Sequence, residues 1–198
     1  MKNLPFLLLL LLPLSCWGQT DQTEEIRPPF GLNWGESPEN TRKWIQKNQH
    51  KSVEGTAKDG RQVIEVEGPF PEVTFTRIRF HFSKNQLSEV ELQFNQIKNK
   101  ETNEEEAKTY TDALDIKSLI DSIHGKGNLV KNEKGEEPNH QWKYIHQIWT
   151  DEEHSIWLVV FHSKRIDPNP KNTFSLAMIS LHYRWEKKLM ENKKLEKK

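Results

Sequence analysis

Eight histidines are the residues best suited to chemistry in this chain, because imidazole can ligate a metal or carry a proton near neutral pH. His50, His124, His140 and His154 fall in expected loops or at element ends, whereas His81, His146, His162 and His182 fall on expected strands. No two histidines have the i, i+4 helical spacing of zinc enzymes, and no Cys-x-x-Cys occurs. His146, His162 and His182 would share a sheet face if the strand registers allow, which makes them the metal-ligand candidates. Scattered strand histidines are ordinarily rim residues, however, so neither a metal nor any other cofactor is expected. Nucleophilic catalysis has no better footing. There is no Gly-x-Ser-x-Gly elbow, and Ser118 to Asp121 lies within a helical pattern. Gly125-Lys126-Gly127 reads as a helix stop rather than a phosphate cradle. Surface carboxylates are too many for any one pair to stand out as glycosidase acids. No catalytic residue is assigned.

Tryptophan is the one unusual component. Trp34 and Trp44 bracket the first helical pattern, and Trp142, Trp149, Trp157 and Trp185 fall in the second half of the chain. Most of these rings are expected to fill core, but tryptophan is also a favoured anchor for protein or sugar partners. Ile156 to Phe161 is apolar at six successive positions, and Ile179, Leu181, Tyr183 and Trp185 add a stripe on the last strand. A strand apolar on both sides must be covered on both sides. One helix covers only one of them, so Trp157, Trp185 and Trp149 are the candidate binding residues.

The elements that would position these residues follow from periodicity. Ser37-Pro38 starts a helix running to about Asn48, with Thr41, Trp44 and Ile45 on one face. Strands are expected at Arg61 to Glu67, at Thr74 to Phe82, and around Val90, Leu92 and Phe94. Strict alternation in the last two implies one buried and one wet face. Their hairpin is expected to turn at Ser83-Lys84-Asn85. If Phe80 and Val90 share the buried face, facing residue numbers sum to 168 or 170, and either value sets Arg79 against a glutamate, Glu89 or Glu91. A second helix starts at Asn103, carries a stripe of Tyr110, Leu114, Ile116, Leu119, Ile120 and Ile123, and stops at Gly125. A polar loop to His140 then leads into strands at Trp142 to Thr150, Ser155 to Ser163 and Phe174 to Trp185. The loop Lys164 to Thr173 carries Pro168 and Pro170. The expectation is an α+β fold: a largely antiparallel sheet of about six strands with two helices, in two α-βββ halves, about 30–98 and 103–185.

The N-terminus supplies an address. Lys2, the apolar run Leu4 to Leu14 and the small residues Ser15, Cys16 and Gly18 read as a signal peptide, residues 1–18, too short to span a bilayer. Cleavage after Gly18 gives a secreted or periplasmic product. Cys16, the single cysteine, is the alternative lipidation site and would make an outer-membrane lipoprotein. Membrane contact is expected only through that anchor. Residues 19–29 read as a polar tether. The chain has 29 basic and 29 acidic residues, and losing Lys2 leaves 28 against 29, so no field draws the mature protein to nucleic acid. A charged C-terminal tail, 186–198, follows Trp185.

Trp34-Gly35-Glu36-Ser37-Pro38-Glu39 leading into a short helix and a strand meander resembles small envelope modules of the kind found in the assembly lipoprotein BamE. The β-lactamase-inhibitor-protein fold is also similar, with a helical element and an antiparallel sheet occurring twice. Tyr110, Leu114 and Leu119 before Gly125, then Trp142 and Tyr183, carry the likeness in the second half. The resemblance implies a protein that binds other proteins and is not an enzyme. The expected function is therefore a non-catalytic secreted or envelope-associated interaction module with an envelope or extracellular protein as partner. The alternatives are a small extracytoplasmic hydrolase or metal-dependent enzyme, and a ligand-binding or inhibitor domain.

Overall fold

The computed structural model describes residues 25–68, 75–98, 103–165, 167 and 174–195. The leader with Cys16, the start of the tether, Thr74, Glu101 and the Pro168–Pro170 loop lie outside them. The element order is α1 (Pro38–Lys47), β1 (Ser52–Thr56), β2 (Gln62–Glu67), β3 (Arg77–Ser83), β4 (Gln86–Lys98), α2 (Asn103–His124), β5 (Asn128–Glu137), β6 (His140–Thr150), β7 (His154–Arg165), β8 (Phe174–Trp185) and α3 (Glu186–Leu195). The strands form one antiparallel sheet in the order β1-β2-β3-β4-β8-β7-β6-β5.

This corrects the expected architecture. The chain is α+β, but it has eight strands rather than six and is mostly sheet, about 51% strand against 23% helix. Among the described residues α1 and α2 are each followed by four strands, not three, and a third helix, α3, follows β8. The two strands absent from the sequence reading are β1 and β5, the two ends of the sheet order. An edge strand has no apolar face to bury, so it leaves no alternation to read. All five residues of β1 are exposed, and β5 is nearly as exposed throughout. Lys131, Glu133, Lys134, Glu136 and Glu137, with an irregularity between Leu129 and Lys131, keep the β5 edge from pairing with other chains.

The residues group into two compact units. The first comprises Met1–Leu92, Thr150–Ile156 and His182–Lys198, and the second comprises Gln93–Trp149 and Trp157–Leu181.

In the first unit, Ser37 takes the extended N-cap conformation before Pro38, although its hydroxyl bonds no helix amide. Thr41 and Ile45 are buried, and the Trp44 ring meets Phe30 at 4.9 Å and Phe80 at 5.8 Å. Ile26, Pro28 and Pro29, at the end of the segment read as tether, are buried as well. The Ile26 amide donates to Asp151 Oδ2 (2.8 Å), and its carbonyl accepts from Trp34 Nε1 (2.9 Å). The charged segment after Trp185 is helical to Leu195, with Leu189 buried and α3 in contact with β3.

The β3–β4 hairpin turns in two residues rather than three or five. Lys84 and Asn85 both have positive φ (51° and 62°), as a type I′ turn requires. Such a turn sets Phe82 against Leu87, both buried. A ladder continued from that pair would set Ile78 against Glu91, yet Glu91 stands 3.6 Å from Arg79, so one extra residue must be taken up along β4. The parity rule assumed an unbroken ladder. Ser88 donates to the His81 carbonyl (3.1 Å).

In the second unit, α2 ends where Gly125 takes positive φ (75°). Ala113, Ile116 and Ile120 are its buried apolar residues among those described, while Leu114, expected on the apolar stripe, is 61% exposed. Along β7, Ile156, Leu158, Val160 and His162 are buried and alternate with half-buried Trp157, Val159 and Phe161.

Candidate functional site

The structure distributes the histidine candidates among separate environments. His162 is buried against the Tyr110 ring of α2 (6.1 Å), and His146 lies against Trp157 (4.9 Å). His182 Nδ1 hydrogen-bonds Glu89 Oε1 (2.9 Å) in the first unit. Among the described residues no group of three or more His, Cys, Asp or Glu side chains is placed to hold a metal ion. His154, read as a loop residue, stacks on Trp34 (5.5 Å, 9° between planes) and bonds Asp151 through Nδ1.

The tryptophan candidates divide in the same way. Trp149 is 2% exposed, with Nε1 donating to Asp121 Oδ1 (2.9 Å) and the Gly125 carbonyl (3.1 Å), so it anchors the end of α2 and cannot meet a partner. A Cβ on Gly127 would fall within 2.7 Å of the Trp149 ring atoms Cδ2 and Nε1, so only glycine fits beside this indole. Trp185 belongs to the first unit, where its ring lies 3.5 Å from the position of a Cβ on Gly35 and Lys188 Nζ stands 5.9 Å from its centroid. Trp157 and Trp185 are both half-buried, and Trp157 lies on a strand with two other half-buried apolar side chains.

Three strands of the second unit carry such side chains. Tyr110 and Asp121 of α2 touch His162, Lys143 and Trp149, which places α2 against one face of the second unit. Trp157 belongs to the alternate set of β7, together with Val159 and Phe161, and all three remain half-buried. Buried His146 meets Trp157, and Tyr144 meets His146 at 6.2 Å, so β6 adds the half-buried Tyr144 ring to this surface. On β8, Leu176 and Met178 are half-buried between buried Ser175, Ala177 and Ile179. The result is a run of aromatic and apolar side chains, each partly in water. The sequence reading found Trp157 from the six-residue apolar run. It missed Tyr144, whose signal was its alternation with buried Gln147 and Trp149 along β6.

The first unit is different in chemistry. Glu89 is buried, with its side chain 7% exposed, and its Oε2 accepts from Arg61 Nη1 (2.7 Å) while Arg184 Nε stands 3.8 Å away. Burial alone would raise its pKa. The hydrogen bond from His182 and the charges of His81, His182 and Arg61 outweigh this and hold the carboxyl well below the ordinary glutamate range. Glu91 lies 3.6 Å from Arg79 and 3.5 Å from His81, and Arg79 also bonds Glu65 at 2.5 Å. Arg77 pairs with Glu65 (3.3 Å) and Glu67 (2.7 Å). Arg79 thus meets Glu91, as one of the two expected registers has it, but Arg77 pairs with glutamates of β2 instead and Glu89 and Glu91 are buried rather than wet, while Arg77 and Arg79 stay outside the apolar core.

A general acid needs a carboxyl whose pKa is raised toward the working pH. Glu39, Glu54, Asp59, Glu89, Asp121, Asp151 and Glu153 all have their pKa shifted down. These groups hold neighbouring cations and amides in place, and none of them is poised to deliver a proton.

The chain matches no family model, no curated protein and no solved structure. Among the described residues no helix is long and apolar enough to cross a membrane.

Proposed function

We propose that this protein is a non-catalytic, exported or envelope-associated interaction module, and that another extracytoplasmic protein docks on the face carrying Trp157. The observation that supports this most is the partial exposure of Tyr144, Trp157, Val159, Phe161, Leu176 and Met178 on three strands of the second unit. Contiguous apolar surface of this kind carries a cost in water that a partner relieves, and aromatic rings dominate the energetics of protein interfaces. The leader-like Leu4 to Leu14 run supports export. The repeated plan of helix and meander is in keeping with the resemblance to envelope binding modules.

A photo-crosslinking amino acid at Val159 tests the reading, with the same probe at Lys58 as control. In envelope extract, the Val159 probe should give a discrete protein adduct that Phe161→Lys abolishes without changing the circular dichroism or melting of the domain. No adduct from Val159, or equal adducts from Lys58, would refute the docking surface.

A further inference from the structure

A second concave surface lies in the second unit, on the side of the sheet that α2 contacts. It is a cleft of about 400 Å³ between Tyr110 of α2, Lys134 to Glu136 of β5, Gln141 to Lys143 of β6 and His162 of β7. Its charge arrangement is costly by itself. Lys134 and Lys143 are direct partners in the β5–β6 register, so two ammonium groups stand opposite each other on one face. Like charges in that position destabilise a strand pair, and sheets ordinarily set a carboxylate there. The carboxylate nearest in register is Glu136, which accepts a hydrogen bond from Gln141 Nε2 (2.8 Å). Lys143 Nζ instead lies 4.3 Å above the Tyr110 ring. Among the described residues neither lysine has a carboxylate within ion-pair distance.

The lining around this pair is mixed in a way that suits a polyhydroxylated ring. Tyr110 supplies aromatic surface, and the Gln141–Glu136 pair presents amide and carboxylate atoms side by side. The Trp142 indole lies over Gly135, its partner in register, on the opposite face of the strand pair from Lys134 and Lys143. His162 closes the floor, buried beneath Tyr110. The lining thus carries two lysine charges against one glutamate, with the Tyr110 ring beside them.

We propose that this cleft binds an anionic saccharide, with Lys134 and Lys143 holding its carboxylate, sulfate or phosphate group and the Tyr110 ring meeting the sugar. Two ammonium groups at facing positions of one strand pair match an anion with two or more oxygens. The bound anion would also offset the repulsion between the lysines. The site is distinct from the Trp157 face and does not depend on the reading given to it.

The test is calorimetric titration of the mature protein with a galacturonic-acid oligosaccharide, a neutral oligosaccharide of the same length, and inorganic phosphate. The uronate should bind, with affinity falling at least tenfold in Lys134→Gln and in Lys143→Gln, and unchanged in Lys58→Gln. The same Lys134→Gln should raise the melting temperature by about 1–3 °C, because it removes a repulsion. A lysine kept only for solubility would not produce that gain alongside a loss of binding. Uronate and neutral sugar binding equally, phosphate alone binding, or no binding at all would each overturn the proposal. So would a melting temperature lowered by Lys134→Gln.

Discussion

Replacing Glu89 by glutamine removes one charge at the centre of the first unit while keeping the shape of the side chain. The carboxylate bonds Arg61 Nη1 at 2.7 Å and His182 Nδ1 at 2.9 Å, and its side chain is buried. Removing one partner of a buried ion pair costs about 3–5 kcal/mol, because the other charge is left without compensation. Glutamine can still accept a hydrogen bond, which recovers part of this, so the expected loss at pH 7 is about 2–4 kcal/mol. Acid supplies the decisive comparison. The folded pKa of Glu89 lies below its unfolded value of 4.5, so the stability it contributes is complete above that value and is lost as pH falls below it. By pH 3 the wild type should have lost about 2 kcal/mol through this one group, and the glutamine variant has no such group to titrate. The assay is urea unfolding at pH 7, 5, 4 and 3, followed by tryptophan fluorescence. The gap between the two proteins should hold from pH 7 to 5 and shrink by about 2 kcal/mol at pH 3. A gap below about 1 kcal/mol at pH 7, or one that does not change with pH, would refute the account of Glu89 as a buried, ionised hub.

Three further outcomes follow from local geometry. Gly127→Ala should cost about 1–3 kcal/mol in chemical denaturation and red-shift the fluorescence of Trp149, whose ring occupies the space a Cβ needs. Replacing Lys84-Asn85 by Asn-Gly should stabilise the protein by about 0.5–1 kcal/mol in the same assay, since both residues now hold positive φ. Asp151→Ala removes the acceptor of the Ile26, Glu153 and His154 amides, and hydrogen exchange at Ile26 should accelerate at least tenfold while the Ile64 amide in the core keeps its protection.

How far the fold was legible depended on whether an element had a face to bury. The helix starts at Pro38 and Asn103 and the stop at Gly125 all carried local chemistry, and each stands where it was expected. β7 and β8 carry their signal in the sequence, the apolar run Ile156 to Phe161 and the stripe Ile179, Leu181, Tyr183 and Trp185, and buried and half-buried residues alternate along β7. β5 was read as a loop because Lys131 to Glu137 holds five charges and a glycine, which is what an exposed edge requires. Leu114 was placed on the apolar stripe by its type, but helical phase sets Ala113, Ile116 and Ile120 inward and leaves it in water. The candidate site was half legible. An apolar run marks a two-sided strand such as Ile156 to Phe161. The lysine pair of the cleft exists only once Lys134 and Lys143 are in register, and that depends on a hairpin with no apolar pattern.

β4 shows the limit of alternation most sharply. Val90, Leu92 and Phe94 alternate with Glu89, Glu91 and Gln93, and that pattern reads as one buried and one wet face. In the structure all six are buried. Alternation separates the two faces of a strand by polarity, but it does not say that the polar face meets water. On β4 the neighbours of the carboxylates are arginines and histidines from β3 and β8 together with Arg61, just before β2, whose long side chains exclude solvent from the charges they neutralise. A glutamate between an arginine and a histidine is buried by its partners, and those partners come from strands up to 93 residues away in sequence. The polar face of such a strand is therefore specified by pairing across the sheet. Its burial is a property of the register, and no window along the chain contains it.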